Sequence, residues 1–229
     1  MKKEMLKTSF ILTAYTLIAG ISLSLVYTVT QSRIGSAELE NIITAMKYVL
    51  TDENGNQVIP STEIEKTVTE KSGEMGNVIY TDGVGTVTSP VYEYENSGVK
   101  YYVLSGYAPG YGGNVVTMAS FKYDGDELSL YAIKVLDYSQ ETPGLGAKIA
   151  EEDNQKRFYP IPEAGLSAGI KVDKDAGKQS LSPEEAKKQG VVKVSDVMTG
   201  ATITPRAVSN LLNAMYKYLR EEYLQGGAD

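Results

Sequence analysis

The pattern of apolar and polar positions divides the chain into three stretches. No charged residue occurs from Thr8 to Ser32, and the apolar part of this run, Phe10 to Val29, is 20 residues long. As a helix it would reach ~30 Å, the hydrocarbon thickness of a bilayer. No polar stripe marks one face, so the run reads as a single membrane-spanning helix rather than a buried helix of a globular core. A cleaved signal peptide is the alternative. Such peptides carry ~7–15 apolar residues and end at an Ala-x-Ala-like site, whereas this run is longer and Gly35-Ser36-Ala37 is a weak cleavage site. In residues 37–50, Leu39, Ile42, Ile43, Met46 and Val49 or Leu50 recur at helical spacing. This second stretch can continue the membrane segment as a short stalk, ended by Asp52-Glu53-Asn54-Gly55-Asn56. A weaker helix is expected over residues 61–71.

From Val78 the texture turns to Tyr, Val and Thr punctuated by glycine. Val91–Glu95 and Val99–Leu104 flank Asn96-Ser97-Gly98, and Val115–Tyr123 and Leu128–Leu136 flank Asp124-Gly125-Asp126-Glu127. Both pairs read as hairpins. The spacing predicts a twisted antiparallel sheet of about four to six strands. A loop over 137–147 follows, then a short helical or irregular stretch to Phe158, a strand around Ile170–Val172, and a capping box at Ser182-Pro183-Glu184-Glu185. A strand is expected at 190–195. The last helix is the clearest: Thr204 reads as its N-cap with Pro205 next, and Val208, Leu211, Leu212, Met215 and Leu219 form one apolar stripe before Gly226-Gly227. The fold class is therefore α+β. Residues 1–33 form the N-terminus and transmembrane anchor, 34–75 a helical stalk, and 76–229 the main domain, its sheet flanked by helices.

Charge gives this layout a direction. Net charge is −7. Lys2, Lys3, Lys7 and Arg33 against Glu4 make the anchor region +3, so the remaining residues carry −10. The positive-inside rule places the N-terminus in the cytoplasm of a cell (inner) membrane, with the acidic domain on the extracytoplasmic side. Such a body is a poor nucleic-acid binder. The chain has no His, no Cys and no Trp, but 17 Tyr. Disulfides, zinc–thiolate sites, Cys-ligated clusters, His-ligated haem and an imidazole base are excluded, and no metal site is expected. Redox chemistry here requires an organic cofactor.

Two short stretches carry candidate chemistry. In Glu141-Thr142-Pro143-Gly144-Leu145-Gly146, Pro143 fixes φ and the glycines permit a tight turn that exposes amide N–H groups to a planar or anionic ligand. An ordinary turn explains it equally well. In Asp196-Val197-Met198-Thr199-Gly200-Ala201-Thr202-Ile203-Thr204, a small, hydroxyl-rich stretch runs into a helix N-terminus, where unpaired N–H groups and a partial positive charge favour phosphate. Arg206 can add charge there. A merely capped helix is the plainer reading.

Taken together, in this order, the two stretches resemble the FMN-binding domain family of membrane redox complexes, which includes the G-type subunit of the Rnf complex and the C-type subunit of the sodium-pumping NADH:quinone reductase. The resemblance covers most of residues 75–220 and includes Gly110-Tyr111-Gly112-Gly113 and the single N-terminal anchor. Gly146-Ala147-Lys148-Ile149 and Ile203-Thr204-Pro205-Arg206-Ala207-Val208 look more like the Rnf member. The resemblance implies covalent FMN, its phosphate esterified to Thr202, installed by a flavin transferase that recognises Asp196 and the residues through Thr202. Thr199, Gly200, Ala201, Glu141, Thr142, Gly144, Leu145 and Gly146 are the implied cofactor-binding residues. Thr142 and Thr199 would hydrogen-bond the flavin and Leu145 would pack on its face, while Glu141 would either brace the turn or touch the cofactor. Relatives often carry a His shortly before the Glu-Thr-Pro-Gly turn; here Asp137, Tyr138, Ser139 and Gln140 fill that stretch. The implied function is electron transfer within an Rnf-type ion-translocating, ferredoxin-oxidising complex, with its other subunits as partners and no catalytic residue of its own. The C-type subunit of the quinone reductase, a membrane-tethered flavin sensor or structural module, and a solute-binding domain stay open as alternatives.

Overall fold

The computed structural model describes residues 2–226; Met1 and residues 227–229, among them the Gly227 expected to follow the last helix, lie outside the described residues. The chain divides into two compact units between Ile42 and Ile43. Helix α1, Lys2–Val49, supplies the first unit and the opening residues of the second. Within it, Lys3–Thr30 has a mean hydropathy of 1.9 and is long and apolar enough to cross a membrane. Its large apolar side chains, Phe10, Leu17 and Leu23 among them, are exposed, the state expected of a helix whose partner is lipid.

The second unit is built on a five-stranded antiparallel meander in the order β1-β2-β3-β4-β5. Its strands are β1 (Val78–Thr81), β2 (Thr86–Asn96), β3 (Val99–Pro109), β4 (Asn114–Tyr123) and β5 (Leu128–Asp137). Both expected hairpins form, with longer arms than the pattern suggested. At the first, Ser97 and Gly98 take φ of 55° and 80°, the paired positive values of a type I′ turn. Two faces of the sheet are buried, which is why strand alternation reads weakly in sequence. On one face Tyr102, Leu104, Ala119 and Phe121 share a core with the C-terminal stripe Val208, Leu211, Leu212, Met215 and Leu219. On the other face Ser120 donates to the Val49 carbonyl at 2.6 Å, and Met46, Val49 and Leu50 are fully buried. Helix α2 (Ser61–Glu70) adds Ile64 and Val68 to the buried set.

Beyond β5 come short elements: α3 (Glu152–Gln155), α4 (Glu163–Ser167), β6 (Lys171–Val172), α5 (Asp173–Ala176), α6 (Pro183–Lys188) and β7 (Val191–Val192). The capping box at α6 forms: Ser182 Oγ accepts from Glu185 N–H while the Glu185 carboxylate accepts from Ser182 N–H. The strand expected over 190–195 is only Val191–Val192, paired in parallel with Lys171–Val172.

Helix α7 spans Ile203–Lys217. Its N-cap is Thr202, not Thr204 as the sequence suggested, and Pro205 therefore sits at the third helical position. The Thr204 hydroxyl does not cap the helix; it donates to the Glu141 carboxylate. The helix lies close on the sheet at Gly106, where a Cβ would come within 2.9 Å of the Leu211 side chain. Register places Pro109 opposite Asn114 and Val116 opposite Asp137. The β3–β4 turn and the segment leaving β5 thus emerge at the same end of the sheet, and α7 begins beside them.

Candidate functional site

Three loops meet at that end: Gly110–Gly113 between β3 and β4, Tyr138–Gly146 after β5, and 196–202 before α7. Glu141 joins them. Its carboxylate, 4% exposed, accepts from Tyr111 N–H (2.8 Å), Gly112 N–H (3.3 Å) and the Thr204 hydroxyl. A carboxylate with three donors aimed at it satisfies the requirement that a buried polar group be paired. Glycine supplies the room. A Cβ at Gly110 or Gly146 would strike the Glu141 carboxylate, and one at Gly112 would overlap the Gln140 carbonyl. Gln140 stands in the stretch where relatives often have His, so here that stretch packs under the Gly112-Gly113 turn.

The 142–146 turn is closed by the Thr142 carbonyl, which accepts from Leu145 N–H (3.1 Å) and Ala147 N–H (3.2 Å). Gly144, at φ 73°, and Gly200, at φ 86°, hold the left-handed backbone that favours glycine. The Leu145 side chain reaches to 4.0 Å from the Cβ position of Gly200, so the two sequence stretches are brought together in space.

Between them lies a cleft of about 320 Å³ walled by Tyr111, Thr142, Leu145, Ala201, Thr202 and Ile203, with Glu141, Gly146, Gly200 and Thr204 completing it. Tyr111, Leu145 and Ile203 are 72%, 45% and 41% exposed. These are three of the few large apolar side chains left in solvent outside α1, and they line one cleft. Exposed apolar groups gathered around a concave site mark a binding surface. Thr202 stands at the lip with a half-buried side chain that makes no capping bond to the helix it precedes. Its hydroxyl is free to take a substituent, and the first amides of α7 follow it directly.

A second, smaller cleft of about 200 Å³ lies on the other side of the same turn, lined by Asp173, Lys174, Gln179, Ser195, Thr199 and Pro205 and sharing Gly200, Ala201 and Thr202 with the first. Thr199 belongs to this side, and its hydroxyl donates to the Ser195 carbonyl at 3.0 Å. Thr142 lines the first cleft and Thr199 does not, while Thr202 lines both. Asp173, fully buried, accepts from Ser195 Oγ (2.6 Å), Ser195 N–H (3.3 Å) and Lys174 N–H (3.0 Å).

Arg206 does not face either cleft as a free charge. It pairs bidentately with Asp175, Nε to Oδ2 at 2.7 Å and a terminal nitrogen to Oδ1 at 2.8 Å. That bond and charge hold the Asp175 carboxyl below the usual carboxylate range against a smaller opposing effect of burial. Asp196 is exposed and paired with Arg157 at 2.7 Å. Burial raises its carboxyl, but the Arg157 bond and charge outweigh this and leave it below its ordinary value. Sequence reasoning placed Glu141, Thr142, Gly144, Leu145, Gly146 and Gly200–Thr202 around one site. Tyr111, Ile203 and Asp173 stood outside that set, and Thr204 was read as the helix cap rather than as a partner of Glu141. For Tyr111 a signal existed: an aromatic residue set among three glycines has no neighbours with which to build a core.

Comparison with known proteins agrees with this geometry. The model of the FMN-binding domain family matches residues 110–217, a span that opens on the Gly110 turn and closes on the last residue of α7, enclosing every residue of the cleft. A crystal structure from Thermotoga maritima, described as an RnfG subunit of an electron transport complex, superposes with a TM-score of 0.65 at 44% identity, covering 78% of this chain and 95% of that one. Among curated proteins, the G-type subunit of the Na(+)-translocating ferredoxin:NAD(+) oxidoreductase complex of Acetobacterium woodii is 26% identical over 92% of this chain and 89% of its own. The G-type subunit of the ion-translocating oxidoreductase complex of Cereibacter sphaeroides is 28% identical over 90% and 80%. A cleft formed by the matched residues and a solved relative at this identity and coverage together establish that the chain belongs to the FMN-binding domain family, in the company of the RnfG proteins.

Proposed function

We propose that this chain is a membrane-anchored flavoprotein subunit that carries FMN on Thr202 and passes electrons between the other subunits of an Rnf-type ion-translocating, ferredoxin-oxidising complex. The observation that carries this reading is the uncapped Thr202 hydroxyl at the lip of a cleft rimmed by exposed Tyr111, Leu145 and Ile203. An amphiphilic cofactor with a phosphate at one end and a planar apolar ring at the other fits a hydroxyl beside an apolar slot. Bound FMN would supply reversible uptake and release of electrons.

The chain's own residues have four tasks. The Thr202 hydroxyl would hold FMN through its phosphate as a phosphoester, FMN less one water, and the N-terminal end of α7 would set its partial positive charge beside that phosphate. None of the residues lining this cleft is Lys or Arg, and a covalent link makes a cationic clamp unnecessary. Leu145 and Tyr111 are the residues that would cover the ring and keep water from it. Thr142 lies within the same wall, where its hydroxyl would meet the ring's polar edge. Asp196 heads the segment that a flavin transferase would read, and its exposed carboxylate is held in place by Arg157 rather than free to rotate. The +3 N-terminal region and the uncharged run after it support a cytoplasmic N-terminus, with the FMN domain, residues 76–229, and the 34–75 stalk before it on the extracytoplasmic side. An exported electron carrier would lose a reversibly bound flavin by dilution, so esterification suits that location.

The test is in-gel flavin fluorescence after denaturation, followed by peptide mass analysis of protein from cells that contain a flavin transferase. The reading requires a gain of FMN minus one water on the peptide holding Thr202. An unmodified Thr202 peptide from such cells refutes it. Asp196→Ala should lower the flavin content while leaving the thermal transition of the domain unchanged; full loading of that variant removes Asp196 from the recognition segment.

A further inference from the structure

The cleft beside Thr202 has walls from three separate stretches of chain, and a single side chain reaches all three. Glu141 sits in the 141–146 turn, takes two amides of the Gly110–Gly113 turn on Oε1 and takes the Thr204 hydroxyl on Oε2. Three of the carboxylate's four acceptor sites are filled by the protein itself. What those ties hold is the ligand-facing surface itself. Tyr111, whose own N–H is bound, is the one aromatic among the residues lining the cleft and is 72% exposed. Thr204 lies two residues beyond Thr202 on the first turn of α7. Leu145 projects from the turn whose backbone Glu141 anchors.

We propose that Glu141 is a positioning residue for the FMN on Thr202: by fixing the Tyr111 turn and the start of α7 to the Leu145 turn, it sets the separation of the cleft walls and gives the attached ring one orientation. This rests on the reading of Thr202 as the attachment point. A ring tethered by a flexible ribityl chain has many poses, and attachment alone selects none of them. Walls fixed by a buried network do. The role follows from geometry, so glutamine should retain it. Its amide oxygen can accept from Tyr111 and Gly112, and its NH₂ can donate to the Thr204 hydroxyl. Alanine cuts all three ties.

The experiment uses the full chain, loaded with flavin in cells that contain a flavin transferase. It compares the parent with Glu141→Ala, Glu141→Gln and Thr204→Val by intact mass, visible circular dichroism of the flavin and iodide quenching of its fluorescence. Far-ultraviolet dichroism checks folding. In Glu141→Ala we expect one FMN per chain as in the parent, visible dichroism reduced to about half or less, and an iodide quenching constant raised about twofold or more. Glu141→Gln should keep parental values of both. Dichroism and quenching unchanged in a folded Glu141→Ala overturn the proposal, and so does a glutamine variant that behaves like alanine. If Glu141→Ala does not fold, the single cut in Thr204→Val must itself lower the dichroism, and a parental signal there overturns the proposal. A parent chain without flavin is a different result, visible before any variant is compared: it removes the attachment point and this role with it.

Discussion

The two sides of the Gly200–Thr202 turn are built on the same device and end differently. Each has a buried carboxylate that gathers backbone amides and one hydroxyl: Glu141 with Tyr111, Gly112 and Thr204 on one side, Asp173 with Lys174, Ser195 and the Ser195 hydroxyl on the other. Around Glu141 the surface is apolar and open, with Tyr111, Leu145 and Ile203 in solvent. Around Asp173 it is more polar, with Lys174, Gln179 and Thr199 set among Val172, Met198 and Pro205. A hub of hydrogen bonds can therefore serve two purposes. The Asp173 hub folds the segment that presents Thr202; the Glu141 hub shapes the place where a ring attached to Thr202 would lie. The lining of the neighbouring cleft, not the hub, separates a structural carboxylate from one that serves a ligand.

The largest effect that tests this division is at the shared residue. Thr202→Ala should abolish covalent flavin completely while changing stability by less than ~0.5 kcal/mol, because the side chain is half-exposed and makes no capping bond. In-gel fluorescence and a urea melt read both numbers. Flavin retained on Thr202→Ala would detach the comparison from its centre.

Next in size is the Asp173 hub. Asp173→Ala removes the fully buried acceptor of the Ser195 hydroxyl and amide and of the Lys174 amide, which are themselves part-buried, and the expected cost is about 2–3 kcal/mol. In the fraction that stays folded, the visible dichroism of attached flavin should match the parent. A variant that is stable but has lost its flavin signal would assign the Asp173 side, rather than the Glu141 side, to the ring. The matched cut on the other hub is Thr204→Val, nearly isosteric and fully buried. It removes one hydroxyl donor and should cost about 1–2 kcal/mol, measured by the same melts.

These two hubs also mark what the sequence could and could not tell. Glu141 was legible because it lies in a compact stretch with Thr142, Pro143, Gly144 and Gly146, whose chemistry is local. Asp173 was not, because its acceptor role depends on Ser195, 22 residues away, brought near by the two-residue pairing of β6 with β7. That pairing is too short for any periodicity to reveal. The long apolar N-terminal helix and both hairpins were legible from charge-free length and turn residues. The N-cap of α7 was misread for a physical reason: Thr204-Pro205 imitates a cap followed by proline at the first helical position, yet the Thr204 hydroxyl gains a buried carboxylate partner by pointing away from the helix amides. Tertiary bonding overrode the local preference, and it did so within the candidate site. Thr199 lines only the second cleft whereas Thr202 lines both, the chain turning between them at the positive φ of Gly200.

The smallest effect sharpens the comparison through pH. Near the Asp173 hub the turn is flanked by two ion pairs, Arg206–Asp175 and Arg157–Asp196, whereas the cleft on the Glu141 side has no cation in its lining. The bond and charge of Arg206 hold Asp175 below its ordinary value despite burial, and Asp196 is lowered by Arg157 against burial. A carboxyl whose folded pKa lies below its unfolded one adds stability above the unfolded value, ~3.9 for Asp. That contribution is lost as pH falls through the folded value, since the unfolded chain binds the proton first. The parent should therefore lose its advantage over Asp175→Asn progressively as pH is lowered past about 4. The Asp196 carboxylate and the Arg206 guanidinium are substantially exposed, 59% and 45%, so solvent screening limits each pair to ~1 kcal/mol or less, and added salt should shrink it further. Urea melts of parent, Asp175→Asn and Asp196→Asn at neutral and acid pH measure these differences. Flavin dichroism recorded in the same titration should stay constant down to the onset of unfolding, because the protons are taken up on the side of the turn away from the proposed ring site. A change in dichroism that tracks Asp175 protonation while the domain remains folded would mean that the two sides of the turn are coupled, and that the polar cleft helps to set the pose of the flavin.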